Sequence, residues 1–523
     1  MTMAERSMRD RVRDLEERRE KARAMGGPDK VDKQHARGKW TARERFAAFF
    51  DRGEFQEVGL HATQMGVEGD KPASDAVLCG YGKVDGRMVC AAAYDFTVKG
   101  GSIGMVGETK VTRIRELALR GRWPIVWFID SAGARIDPGQ YPHPDYISLF
   151  AGSGHLFREQ IVMSGVVPQV AAMVGPGAAG TAYIPGLADF VPMIRGIGSM
   201  ALGGPPLVKA VTGQEISEQD LGGSKVHAEV SGVGDVEVDD DAACVLLIKK
   251  YLSYFPACCD DPPPFVATED AVDRREESLL DLVPESSRKP YDMYKLIRAV
   301  VDGGEILDVK PRFARSLVTC LARIGGHAVG IVASQPMHLG GILDVDSADK
   351  GARFIQVCDA FNLPLVFFQD VPGFMVGAKV EHQGIIRHGA KMLHAMASAT
   401  VPKLTVVVRK AYGAGYYVMC GRAYEPDLLV AWPTAEISVM GAEGMVGIAA
   451  KKLFGEGEPP PEARAEITRA IQAHIDVFKV AGWGLVDDVI DPRDTRRVLA
   501  MGLELSRRRK VERPWRKHGI MPV

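Results

Sequence analysis

Apolar residues along this chain gather in short unbroken runs, such as Ile125-Val-Trp-Phe-Ile129, Leu365-Val-Phe-Phe368 and Leu404 to Val408. Runs of roughly four to eight apolar residues bounded by glycine, proline or charge suit strands covered on both faces. Between them, over residues 109–120 and 348–360, the hydrophobic spacing becomes that of an amphipathic helix. Buried strands alternating with helices predict an α/β fold with a largely parallel sheet. Residues 1–25 carry charge all round with sparse apolar positions, which predicts a surface helix.

The pattern occurs twice. Gly100-Gly101 stands thirty positions before Asp130, and Gly340-Gly341 stands thirty before Asp370, an offset of 240 between the copies. Downstream, Val167-Pro168-Gln169-Val170 leads to Gly177-Ala178-Ala179-Gly180, and Val401-Pro402-Lys403-Leu404 leads to Tyr412-Gly413-Ala414-Gly415, the offset now being 234 or 235. Landmarks repeated in order at so long a period indicate duplication of a whole domain rather than a short solenoid repeat. The expected organisation is a first domain over 1–260, a proline-rich linker over 261–290 and a second domain over 291–523. A further loop over 455–461 ends in Pro459-Pro460-Pro461 and is expected at the surface.

Each copy has a glycine-rich turn after an apolar strand: Gly175-Pro176-Gly177-Ala178-Ala179-Gly180-Thr181, and Arg409 to Tyr416. Small residues at a strand-to-helix junction let backbone amides approach a ligand, and the first amides of a helix lack partners within it. Such amides can stabilise an oxyanion. The alternative is that the glycines merely let a helix pack on the sheet. Recurrence in both copies, beside a Gly-Gly turn and an Asp closing a strand, favours use over packing.

Net charge is -2, with 65 basic against 67 acidic residues, so no overall field favours nucleic acid. No apolar run approaches the roughly 18 residues of a membrane span. The cytoplasm is the expected location. The eight cysteines form no C-x-x-C pair and lie mostly in apolar stretches, which predicts buried thiols and no zinc site.

Longer motifs add a family. Residues 33–45 resemble the K-x-H-A-R-G-K-x-T-A-R-E-R segment of biotin-dependent carboxyltransferases, and Asp130-Ser131-Ala132-Gly133-Ala134-Arg135 is similar to their D-S-G-G-A-R. Gln369 to Phe374, Gly384 to Lys391 and Thr400 to Thr405 resemble the same family, which the chain follows from about Gln34 to Gly519. The resemblance implies two tandem crotonase-like (ClpP/crotonase) domains, each a spiral of β-β-α turns. It implies the carboxyltransferase (beta) subunit of an acyl-CoA carboxylase, usually a hexamer, with the active site where the first domain of one protomer meets the second of another. Carboxybiotin on a carrier releases CO2, the biotin ureido anion takes the α proton of the acyl-CoA, and the enolate attacks CO2.

By the same resemblance, the amides of Ala179 and Gly180 form one oxyanion hole and those of Ala414 and Gly415 the other. The first domain chiefly binds coenzyme A and the second faces biotin. Ala179 stands where many relatives have glycine. Tyr417, beside Tyr416, stands where propionyl-CoA enzymes carry an acid, which leaves the acyl group open. Gly100, Gly101 and Arg135 are candidate substrate-binding residues, Arg135 toward a CoA phosphate or, equally, as an ion pair holding its turn. Asp130 and Asp370 are expected to accept amides of the turns that follow them. His388 and His394 read as structural, and Arg507-Arg508-Arg509-Lys510 as a solvated face. No biotin-attachment motif or P-loop is found. A biotin carboxylase and biotin carrier (alpha) subunit are the expected partners, with no metal, nucleic acid or membrane. The rival readings are a methylmalonyl-CoA or glutaconyl-CoA decarboxylase subunit, and a non-catalytic scaffold of the same fold.

Overall fold

The fold is that of a computed structural model in which residues 7–64, 71–135, 154–442, 444–447, 460–472 and 474–522 are described. The chain divides into two compact units, Met1–Asp261 and Pro262–Val523. The strands of the first are β1 (Phe55–Glu57), β2 (Val77–Val84), β3 (Arg87–Tyr94), β4 (Ile125–Ser131), β5 (Gln169–Ala178), β6 (Pro192–Ile194), β7 (Ser199–Ala201) and β8 (Val236–Val238). They form one sheet in the order β1-β2-β3-β4-β5-β6-β8, with β7 on the end of β5.

The second unit repeats this plan. Its strands are β9 (Ile306–Val309), β10 (Leu317–Ile324), β11 (His327–Ser334), β12 (Leu365–Val371), β13 (Lys403–Tyr412), β14 (Leu428–Ala431), β15 (Glu436–Ser438) and β16 (Asp488–Val489). The order is β16-β14-β13-β12-β11-β10-β9, with β15 on β13. Strands β2, β3 and β4 begin 240 positions before β10, β11 and β12.

The sheets are largely parallel, as expected, but each is mixed because it begins with antiparallel pairs. β2–β3 and β10–β11 are antiparallel hairpins, and parallel pairing begins only at β3–β4 and β11–β12. The reason is local: Asp85-Gly86 (φ 48° and 78°) and Gly325-Gly326 (φ 58° and 83°) make two-residue turns whose left-handed residues match the twist of a hairpin.

All seven residues of β4 and of β12 are buried, as expected for strands covered on both faces. Trp127 and Ile129 lie in one core with Val111 and Ile114 of the helix Met105–Gly121; each such large side chain contributes roughly 1.5–3 kcal/mol. Phe368 and Val406 lie in the core of the second unit with Leu296 and Leu499. The helices Met105–Gly121 and Val345–Ala360 each bury one lysine, again 240 positions apart. Lys110 Nζ donates to the carbonyls of Ser74 (2.9 Å) and Val77 (2.6 Å), and Lys350 Nζ to those of Phe313 (2.9 Å) and Leu317 (2.6 Å). Burial pushes the Lys110 ammonium below its ordinary pKa.

Residues 262–290 are tied into the second unit. Val266 N–H donates to Gly326 O (3.0 Å), Arg496 donates to Ala271 O (2.9 Å) and Leu279 is buried in the core. The N-terminal helix runs Met8–Arg23 with no buried residue and a Ser7–Asp10 capping box; residues 1–6 of the segment read as helical fall outside the described residues. Most of the loop read over 455–461 also falls outside them, and Pro461 opens a helix to Gln472. No described helix is long and apolar enough to cross a membrane.

The glycine-rich stretch of the first unit is more strand than turn. β5 continues to Ala178 because Pro176, Gly177 and Ala178 pair with β7. The whole change of direction falls on Ala179, at φ 51° and ψ -116°, a conformation that suits glycine. The counterpart 234 positions on is Gly413, at φ 55°.

Ala179→Gly should therefore raise the apparent melting temperature. It relieves strain of about 1–3 kcal/mol and loses about 0.5–1 kcal/mol through the freer unfolded chain; a lower melting temperature would contradict the assignment. Of the eight cysteines only Cys259 is not fully buried, and burial pushes the Cys79, Cys90 and Cys420 thiols up to about 12. Native chain at pH 8 should give a single accessible thiol with a disulfide reagent, reacting more slowly than a free thiol because burial and Asp260 push Cys259 up, and all eight after denaturation. Rapid labelling of three or more would be at odds with this packing.

Candidate active site

In the first unit three segments meet at the C-terminal end of β4. Ile103 N–H donates to Gly133 O (2.8 Å) and Arg135 N–H to Ile103 O (3.1 Å). A Cβ on Gly133 would lie 2.7 Å from Ala178 O, and one on Gly180 would lie 3.9 Å from Ile103 Cδ1. The Gly-Gly turn, residues 131–135 and the Ala179-Gly180 corner are thus neighbours.

The second unit repeats the arrangement. Leu343 N–H donates to Gly373 O (3.0 Å), Met375 N–H donates to Leu343 O (2.7 Å), and a Cβ on Gly415 would lie 3.1 Å from Gly373 Cα. Residues 343, 373 and 375 lie 240 beyond 103, 133 and 135.

The two Gly-Gly turns are glycine for a steric reason. A Cβ on Gly101 would stand 2.1 Å from Asp130 O, and one on Gly341 2.6 Å from Asp370 O, with positive φ at both. Gly100 O accepts the Ala132 N–H at 2.9 Å.

The helix Gly180–Leu187 opens the first corner, and Gly413–Val418 the second. Gly180, Ala414 and Gly415 thus have first-turn N–H groups that a helix leaves without internal partners. Ala179 departs from expectation as a donor: its N–H is already given to Ala201 O at 3.1 Å, because β7 pairs with the end of β5. What Ala179 supplies is the corner itself, and the first-turn amides without a partner within the helix begin at Gly180. Gly415 has no room for a side chain, since a Cβ would meet Val371 Cγ2 at 2.8 Å. Among the described residues a Cβ on Gly180 does have room, its nearest neighbour being Phe157 Cζ at 3.6 Å.

Arg135 is held inside the fold. Its guanidinium pairs with Asp75 and donates to Ser102 Oγ (3.1 Å), Ser102 O (2.9 Å) and Gln64 Oε1 (3.3 Å), so these contacts fit the ion-pair alternative. Tyr416 Oη accepts the Arg422 N–H at 3.0 Å, which ties its ring into the loop beyond it. Tyr417 is 47% exposed, its ring 6.3 Å from that of Tyr424.

Sequence reasoning missed what Asp130 and Asp370 do. Asp130 accepts mainly from side chains: Lys39 Nζ at 2.6 Å, Gln34 Nε2 at 2.7 Å and Arg45 Nη1 at 3.4 Å. Arg45 also pairs with Asp241 through Nε at 2.6 Å, and Lys39 lies 4.5 Å from the Phe96 ring centroid. Burial works against the Arg45 charge, but Asp241 and Asp130 outweigh it and hold the guanidinium above its ordinary pKa. Burial lowers the Lys39 ammonium, and Asp130 opposes that. Asp370 pairs with Arg409 and accepts one amide, that of Lys410 at 3.1 Å, on the neighbouring strand rather than in the turn directly after it.

His388 is structural in its contacts, with Nδ1 2.7 Å from Asp349 Oδ2. Within the basic tail, Arg509 pairs with Asp427 and Arg507 lies 3.4 Å from Glu504.

A family model for the carboxyl transferase domain matches residues 33–521. The methylmalonyl-CoA decarboxylase subunit alpha of Veillonella parvula is 41% identical, over 99% of this chain and 100% of its own length. The propionyl-CoA carboxylase carboxyltransferase subunit of Haloferax mediterranei is also 41% identical, again over 99% and 100%. The crystal structure of transcarboxylase 12S, a hexamer assembly with methylmalonyl-coenzyme A and methylmalonic acid bound, superimposes with a TM-score of 0.94 and 42% identity over 100% of both chains. The two units are accordingly crotonase-like. Similarity of this extent, together with the same corner built twice, shows that the chain belongs to the carboxyl transferase domain family and is a biotin-dependent carboxyltransferase.

Proposed function

We propose that the chain is the carboxyltransferase subunit of an acyl-CoA carboxylase, taking carboxyl from carboxybiotin on a partner's carrier domain to a short acyl-CoA. The observation that carries this reading is the duplicated corner, in which a strand ends, a residue turns at positive φ, and a helix opens with first-turn amides that have no partner within the helix. Loss of an α proton puts negative charge on a thioester oxygen. Backbone donors fixed in advance stabilise such charge without reorganising as it forms.

In the first unit Gly180 N–H holds the thioester oxygen as enolate character develops. In the second, the amides of Ala414 and Gly415 hold the ureido oxygen of biotin. Packing of Gly415 against Val371 and Gly373 fixes the backbone that would present these amides to such a group. Carboxybiotin would supply the carboxyl group there. Neither half needs a side-chain base. Tyr417, the exposed ring two positions beyond Gly415, is the position we propose as a determinant of acyl specificity, because an aromatic there stands where propionyl-CoA enzymes carry an acid.

The transcarboxylase 12S hexamer supports a hexamer here, and its bound methylmalonyl-coenzyme A supports a short acyl-CoA as substrate. The decarboxylase relative from Veillonella parvula keeps the reverse direction as the second reading.

Reconstitution with a biotin carboxylase and carrier subunit, supplied with acetyl-, propionyl-, butyryl- or methylcrotonyl-CoA, should give ATP-dependent carboxylation of one of them by a hexamer. Decarboxylation alone would favour the second reading. A hexamer with no transfer in either direction, including to free biotin, would leave only a scaffold. Gly180→Ala keeps the amide and should keep activity within about fivefold, whereas Gly180→Val blocks approach to it and should lower kcat by about 100-fold or more. A Cβ has room at Gly180, and an unchanged melting temperature and oligomer in Gly180→Val assign its loss to the reaction rather than to folding. Gly415→Ala should be destabilising by about 1–3 kcal/mol, with Val371→Ala recovering much of the loss; unchanged turnover in Gly180→Val would remove Gly180 from the mechanism.

A further inference from the structure

Each sheet has the same irregularity in the same place. Between β4 and β5 the pairing is Ile129 with Met173, then Ser131 with Gly177; between β12 and β13 it is Gln369 with Val407, then Val371 with Ala411. Asp130 therefore faces the bulge Val174-Gly175-Pro176, and Asp370 faces Val408-Arg409-Lys410. A bulge bends its strand and re-aims the residues beyond it. Here the helix-opening amides of Gly180 and of Ala414 and Gly415 come within a few residues of the bulge.

Both aspartates are 0% exposed. A buried carboxylate is costly unless paired, and an apolar residue would fill the same space without that cost. The two halves nevertheless both keep it, and find its cation in different places. Arg409 lies within its own bulge, reaching Asp370 Oδ2 through Nε (3.0 Å) and Nη2 (2.9 Å). Its counterpart 234 positions earlier is Gly175, where a Cβ would stand 2.0 Å from Asp130 Oδ1. There the charge comes from Lys39 and Arg45 instead, and Arg45 Nη2 also donates to the bulge carbonyl of Val174 at 3.2 Å. In the second half Asp370 Oδ1 holds the bulge through the Lys410 N–H at 3.1 Å. What is common to both halves is a carboxylate and its cation joined to the bulge backbone.

We infer that Asp130 and Asp370 are positioning residues for carboxyl transfer, each clamping the bulge that sets where the next helix presents its amides. The inference rests on the transfer reading of those amides. Neither carboxylate touches substrate; each acts through the backbone beside it.

The test uses the full-length chain with free biotin as carboxyl acceptor and a malonyl-type acyl-CoA such as methylmalonyl-CoA as carboxyl donor, in variants that remove charge in pairs so that no unpaired ion stays buried. Asp370→Asn with Arg409→Met keeps an acceptor for the Lys410 N–H, and kcat should fall by only about threefold. Asp370→Val with Arg409→Met removes that acceptor, and kcat should fall by about thirtyfold or more while KM for the acyl-CoA stays within about threefold. Amide hydrogen exchange over residues 408–418 should quicken by about tenfold or more in the valine variant and little in the asparagine one. A valine variant with wild-type kcat and wild-type exchange, or one altered in KM alone, would overturn the inference. Exchange needs no activity, so it tests the clamp even if the wild-type chain transfers nothing, a result that would count against the transfer reading instead.

Discussion

A carboxylate at the end of a strand buried on both faces cannot stand alone, and much of each unit's functional corner is set by how that charge is met. Asp130 draws in Lys39, Gln34 and Arg45, and through Arg45 the helix that begins at Asp241. Asp370 draws in Arg409, whose Nη1 also reaches Lys289 O at 3.1 Å, which ties down the segment before β9. The carbonyls of the same two aspartates lie against Gly101 and Gly341, so one residue in each half orders both the Gly-Gly turn and the bulge.

The catalytic proposal is then a matter of backbone direction rather than of side-chain reactivity. Amides at a helix opening are good donors only if the corner before them is held still. In the first unit Ala179 is held in a conformation that suits glycine, and its own N–H is engaged by Ala201 O. Strain of that kind persists only where surrounding contacts over-determine it. β7, pairing with the end of β5, is among those contacts, and β15 pairs in the same way with the end of β13.

Much of this was legible in the sequence. The apolar runs marked β4, β12 and β13, the offset of 240 marked the duplication, and the glycine pairs marked backbone placed too close for a side chain. The hairpins were legible as well, since Asp85-Gly86 and Gly325-Gly326 are strong two-residue turn signals, while alternation of strand and helix marked the largely parallel remainder of each sheet. Other features depend on contacts distant in sequence. Lys39 and Arg45 lie 91 and 85 positions from Asp130, and nothing local to either end announces the pairing. The fate of the Ala179 amide depends on Ala201, beyond an intervening helix, and a backbone bulge leaves no residue signature of its own. One clue was available: Gly175 and Arg409 occupy matching positions in the two copies, and a charge kept in one half and absent from the other implies that it is supplied from elsewhere.

If the first unit receives the thioester oxygen at the helix opened by Gly180, a crystal or cryo-EM structure of the full-length chain with a non-hydrolysable acyl-CoA analogue will place that oxygen, or the atom replacing it, at about 2.7–3.1 Å from the Gly180 nitrogen. A well-ordered analogue whose carbonyl oxygen is bound by other groups, with the Gly180 amide turned away from it, would rule out this role for Gly180.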